Sequence, residues 1–101
     1  RKVTVTEPAE GYEMVAGYLI AGRVQGVGFR RWTLRQAEAL GVAGTVRNLP
    51  DGSVEVMVRG TAAAVREMRH DLARGPRFAR VDGIAEIPCS LDPAAVGFSI
   101  L

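Results

Sequence analysis

Hydrophobic and polar positions change rhythm several times along this chain, and each change marks an element. Met14 to Val24 is dense in Val, Ile, Leu and Tyr and runs into Gly22, Gly26 and Gly28, so it predicts a buried strand entering a glycine-rich turn. From Phe29 the period lengthens. Phe29, Thr33, Ala37 and Leu40 recur at helical spacing, with Arg31, Arg35 and Glu38 between them and Gly41 as the stop. Ala43 to Asn48 and Ser53 to Arg59 read as short strands joined by Leu49-Pro50-Asp51-Gly52, whose Pro and Asp-Gly supply turn geometry. In the second of these, Val54, Val56 and Val58 alternate with Ser53, Glu55, Met57 and Arg59, which predicts one buried face and one wetter face.

Thr61 stands as the cap of a second helix with Val65, Met68 and Leu72 on its inward stripe, and Arg74-Gly75-Pro76 ends it. Ala79 to Ile87 predicts a further strand, and Gly97 to Leu101 a short last one after Asp92-Pro93. A βαββαβ order with two amphipathic helices implies an α+β, ferredoxin-like sandwich: an antiparallel sheet with both helices on one face. Residues 1–13 are polar, contain Pro8 and Gly11 and keep no period. They are expected to be a flexible N-terminal extension to a single domain over 14–101.

Composition narrows the chemistry. A chain of 101 residues is one domain's worth, and 48% apolar with 24% charged residues describes an ordinary globular protein. A formal charge of +2 is too mild to argue for nucleic acid. Aromatic residues are 6% of the chain, and Ser53, Glu55, Met57 and Arg59 are no stacking platform, which argues against an RNA-binding sheet. One cysteine, Cys89, and one histidine, His70, exclude an internal disulfide, a thiolate metal cage and a Ser-His-Asp triad. The apolar run Met14 to Ala21 falls short of the roughly 20 residues that cross a bilayer. No apolar signal core follows Arg1-Lys2-Val3-Thr4, so the expectation is a cytoplasmic monomer with no membrane or nucleic-acid partner.

The segment between first strand and first helix is the chemically distinctive one. In Gly22-Arg23-Val24-Gln25-Gly26-Val27-Gly28-Phe29-Arg30, Gly26 and Gly28 permit positive φ, so successive N–H groups can converge on an anion. The helix that follows adds unpaired N–H donors and its positive dipole end, and Arg30 in the first turn can fork onto two anion oxygens. Neither the Walker A spacing nor G-x-G-x-x-G is present. Taken alone, the two glycines fit equally a plain tight turn with a solvated Arg30.

The whole string, Gly-x-Val-Gln-Gly-Val-x-Phe-Arg over Gly22 to Arg30, resembles the signature of the acylphosphatase family. Gly44-Thr45-Val46-Arg47-Asn48 and the following Leu49-Pro50-Asp51-Gly52-Ser53-Val54 are similar to the family's second motif and its hairpin. Arg74-Gly75-Pro76, Ala79-Arg80-Val81 and Phe98-Ser99-Ile100 also sit where the family places comparable residues. The likeness runs from about Val15 to the end. It implies the ferredoxin-like fold and a small enzyme that hydrolyses acyl phosphates to a carboxylate and inorganic phosphate. It further implies Arg30 and Asn48 as catalytic residues: Arg30 binds the phosphoryl group and Asn48 holds the attacking water. The loop Gln25, Gly26, Val27, Gly28 and Phe29 binds substrate through backbone N–H groups. Two departures are Thr45, where the family usually has an aromatic residue, and Leu101, where a basic or aromatic residue is common.

Such chemistry needs little else. A departing carboxylate is a stable anion that requires no general acid, and phosphoryl transfer is governed by positioning and charge stabilisation. No cofactor and no metal are expected, and inorganic phosphate or sulfate should compete with substrate. An accessory domain that binds acyl or carbamoyl phosphate without fast turnover is the alternative. Arg23, Arg31, Arg47, Trp32, His70 and Cys89 are expected to be surface or packing residues without catalytic roles.

Overall fold

A computed structural model describes residues 13–101. The elements follow the periodicity to within a residue or two: β1 (Glu13–Arg23), α1 (Phe29–Leu40), β2 (Ala43–Asn48), β3 (Val54–Thr61), α2 (Ala62–Arg74), β4 (Arg80–Ile87) and β5 (Phe98–Ile100). Glu13 is already in β1; the rest of the expected extension lies outside the described residues. Among the described residues, no helix is long and apolar enough to cross a membrane.

The strands form one sheet in the order β4-β1-β3-β2-β5, with both helices packed on it and on each other in an α+β, ferredoxin-like arrangement. The core lies between helices and sheet. Ala16, Tyr18 and Ile20 of β1, Val46 of β2 and Val54, Val56 and Val58 of β3 meet Phe29 and Ala37 of α1 and Val65, Met68 and Leu72 of α2. Period-two alternation on the strands and period-3.6 recurrence on the helices therefore converge on one apolar layer.

The expectation of a wholly antiparallel sheet is corrected at one edge. β1 pairs antiparallel with β3 and β4, and β2 with β3, but β5 runs parallel to β2. β2 and β4 run in opposite senses, so β4 finishes at the end of the sheet where β2 begins. A connection that crosses only the breadth of the sheet, residues 88–97, delivers β5 alongside β2 in the same direction. An antiparallel β5 would require the connection to travel the length of the sheet as well.

A second expectation is corrected too: Ser53 and Met57, assigned to the wetter face of β3, are both buried, Ser53 within the hairpin and Met57, 4% exposed, beneath that crossing. Gly17 stands opposite Met57 on β1, and a side chain there would collide with the Met57 sulfur and the carbonyls of Ile87 and Pro88. The face away from the helices is thus partly roofed by chain leaving β4. Arg59 fastens this roof, donating to the carbonyls of Asp92, Pro93 and Ala95 and pairing with Glu13 at 3.3 Å.

Candidate active site

Both matched motifs come to the same end of the sheet for simple reasons of direction. β1 ends there and passes through Val24 into α1, while β2 ends there at Asn48 and turns through the hairpin into β3. Val24 and Phe29, each 1% exposed, are the two buried posts between which residues 25–28 are strung. Burial of a side chain the size of Phe contributes about 1.5–3 kcal/mol. Between the posts, Gly26 and Gly28 take φ of 74° and 79°. A Cβ at either position would meet nothing within 4 Å, so the need for glycine is conformational and not one of space.

Gly28 is also the N-cap of α1, and having no side chain it caps nothing. The first closed bond of the helix runs from the Trp32 N–H to the Gly28 carbonyl at 3.0 Å. The amides of Phe29, Arg30 and Arg31 lie ahead of it and have no intrahelical acceptor. The first turn holds no acidic residue, and Arg30 and Arg31 make no ion pair with any described residue.

Strand alternation settles Asn48 and Arg47. Val46 faces the core, so Asn48 lies on the same side, toward α1, and Arg47 on the other. There Arg47 donates to its cross-strand neighbour Glu55 at 2.8 Å, a bond that holds its guanidinium pKa above the ordinary value. Asn48 lines a cleft of about 300 Å³ with Val24, Gly26, Gly28, Phe29, Arg30, Arg31 and Ile100. Its Oδ1 is buried and accepts no hydrogen bond, the one such side-chain atom among the described residues. Unpartnered buried oxygens of this kind cost about 1–3 kcal/mol, so the fold alone gives no reason for it.

Five of the expected site residues therefore line one cleft: Gly26, Gly28, Phe29, Arg30 and Asn48. Gln25 and Val27 do not. The Val27 side lines a neighbouring groove. Gln25 turns toward the hairpin, where its Nε2 donates to the carbonyls of Leu49 at 2.8 Å and Ser53 at 2.9 Å. These two carbonyls bracket the turn beyond Asn48, so Gln25 ties the loop to the strand end that carries Asn48. Asp51 steadies the same turn, accepting from the Ser53 hydroxyl at 2.6 Å and the Ser53 N–H at 3.0 Å, bonds that hold its carboxyl below the usual carboxylate range. Arg31 and Ile100 in the cleft wall were not anticipated. Ile100 arrives on β5, whose pairing is non-local, and Arg31 had only its place in the first helical turn to mark it.

The remaining residues fall as expected: Arg23 and His70 are exposed, Cys89 is half-buried, and Trp32 packs edge-on to Phe29 with ring centroids 5.4 Å apart. Chemically the cleft offers two guanidinium groups, unspent helix amides, a carboxamide and no carboxylate, a lining suited to a tetrahedral anion.

Comparison with known proteins agrees with this chemistry. Residues 16–100 match the acylphosphatase family model. The chain is 53% identical to an acylphosphatase of Nitrobacter winogradskyi over 76% of its own length and 78% of the relative's. Its fold superimposes on the crystal structure of acylphosphatase from Bacillus subtilis with a TM-score of 0.80 at 31% identity, covering 86% of this chain and 97% of the other. It also resembles a part of T. kodakarensis HypF, with a TM-score of 0.71 at 31% identity, covering 85% of this chain and 11% of that one.

Proposed function

Because the chain belongs to the acylphosphatase family and is a hydrolase of acyl phosphates, we propose that Arg30 and the uncapped start of α1 hold the phosphoryl group while Asn48 aims the water that attacks it. The observation that carries this reading is the meeting, in one cleft, of the Arg30 guanidinium, unspent amides and a carboxamide whose buried oxygen serves no bond of the fold.

The phosphoryl oxygens lie against the N–H groups of the loop and first turn, with the Arg30 guanidinium forked onto two of them. These donors stabilise the charge that spreads over the equatorial oxygens in a loose transition state. A carboxamide accepts no proton at neutral pH, so Asn48 acts by orientation: it fixes the water with a lone pair directed at phosphorus. The water oxygen bonds to phosphorus, and the bond from phosphorus to the acyl oxygen breaks. Its electron pair leaves on the carboxylate, and the water's proton passes to a phosphate oxygen. No metal takes part in this scheme, since guanidinium and amides already neutralise the anion.

The likeness to a segment of a much longer protein favours a second reading, in which the domain binds acyl or carbamoyl phosphate with little turnover. Two measurements separate the readings: loss of acetyl phosphate in the presence of a chelator, and phosphate binding by calorimetry, each for the wild type, Arg30→Gln and Asn48→Ala. Turnover and phosphate binding should both disappear with Arg30→Gln. Asn48→Ala should lower kcat by about 10²–10³-fold while the inhibition constant for phosphate stays within about threefold. A wild type that is inert yet binds phosphate supports the second reading, and equal loss of phosphate affinity in both variants refutes the division of roles.

A further inference from the structure

Beside the cleft, and sharing Gly28 and Arg31 with it, lies a groove of about 350 Å³ between α1 and the chain that leaves α2. Resting on the reading above, we propose that this groove receives the acyl part of the substrate and selects acyl phosphates whose acyl group carries a second anionic charge.

Position comes first. In an in-line displacement the attacking and leaving oxygens lie on opposite sides of phosphorus. Asn48 belongs to the cleft and has no part in the groove, whereas Gly28 and Arg31 belong to both. With the water on the Asn48 side, the departing carboxylate lies away from Asn48, and the cleft is continuous through Gly28 and Arg31 with a groove that Asn48 does not line.

Charge gives the second reason. Arg31 and Arg35 stand one helical turn apart on the same side of α1, and Arg77 approaches from the far bank. No acidic residue lines the groove, and none of the three makes an ion pair with a described residue. Elsewhere on the surface Arg47, Arg74 and Arg80 each have a carboxylate within 4 Å. The lining also has an apolar component. Phe78, 72% exposed, lies under the Arg77 guanidinium at 5.5 Å from the ring centroid, and Trp32 forms part of the wall. A short methylene chain ending in a carboxylate or phosphate matches this lining: aromatic edges for the chain and planar guanidinium forks for its charged end.

The test uses succinyl phosphate and butyryl phosphate, which differ in ending on a carboxylate or a methyl group. The wild type should favour succinyl phosphate in kcat/KM by about tenfold. In Arg35→Gln/Arg77→Gln the ratio should fall to about one, mainly through KM for succinyl phosphate. Both positions are exposed, and an unchanged inhibition constant for inorganic phosphate certifies an intact cleft. A wild-type ratio at or below one, or a ratio that survives the double substitution, overturns the subsite while leaving the reaction standing. Hydrolysis of neither compound by the wild type overturns the reaction itself and the subsite with it.

Discussion

The two helices of this fold begin in opposite ways. At α2 the N-cap Thr61 sits in extended conformation and its hydroxyl accepts from the Ala64 N–H at 3.1 Å. At α1 the N-cap is Gly28 in left-handed conformation, without a side chain to offer, and arginines occupy the first turn. A Thr cap is worth about 1 kcal/mol over an uncapped end. Cations at the positive end of a helix dipole cost about 0.3–1 kcal/mol each at low salt. The same short sequence therefore solves one helix start for stability and leaves the other with amides and charge uncompensated. The two ends thus differ in what their own chain supplies: the start of α2 is closed by Thr61, and that of α1 is left open, as the proposed phosphate site requires.

Phosphate gives the sharpest means of breaking that contrast. Inorganic phosphate at a hundredfold excess over its dissociation constant should stabilise the wild type by about 2.7 kcal/mol, read as a rise in Tm. Arg30→Gln should abolish the rise, and Thr61→Ala should retain all of it. An equal rise in Arg30→Gln would place the anion elsewhere and remove the distinction between the helix starts. Thr61→Ala supplies the smaller, converse effect. Losing the cap should cost about 1 kcal/mol and lower Tm by about 4–8 °C, with kcat/KM unchanged. A fall in activity larger than the fall in stability would show that the α2 start also serves the site.

Much of this contrast was legible in the residues themselves. Thr61 before an apolar stripe is a cap on sight, and Gly26 and Gly28 before Phe29 mark backbone that side chains would strain. The helical stripes and the alternation of β3 placed the core because each is a local rhythm. What escaped is non-local. Nothing near Met57 announces that residues 88–97 will cross its face on the way from one sheet edge to the other. Nothing in Val24-Gln25-Gly26 tells that the amide nitrogen of Gln25 will find the carbonyls of Leu49 and Ser53, 24 and 28 residues away. The basic groove has the same origin: Arg35 and Arg77 are neighbours only because α2 ends beside the start of α1.

The hairpin beyond Asn48 allows a finer test of how the open helix start is supported. Asp51 closes its turn by accepting from the hydroxyl and amide of Ser53, and the Leu49 and Ser53 carbonyls of that turn receive Gln25. Those bonds favour the charged carboxylate, so the Asp51 pKa is lower in the folded chain than in the unfolded one. The unfolded chain then binds the proton more readily, and the contribution of Asp51 is fully present above the unfolded carboxylate value. It is lost as pH falls through the lower folded value, so the advantage of wild type over Asp51→Asn in Tm should be constant near neutrality and shrink below about pH 4. Because Asp51 itself is exposed, the change in Tm should be the smallest of those predicted here. Its reach into the site is through Gln25, so Asp51→Asn should lower kcat modestly at neutral pH without altering inhibition by phosphate. A difference in Tm that persists undiminished to pH 2 would show that the Asp51 charge has no part in holding the turn.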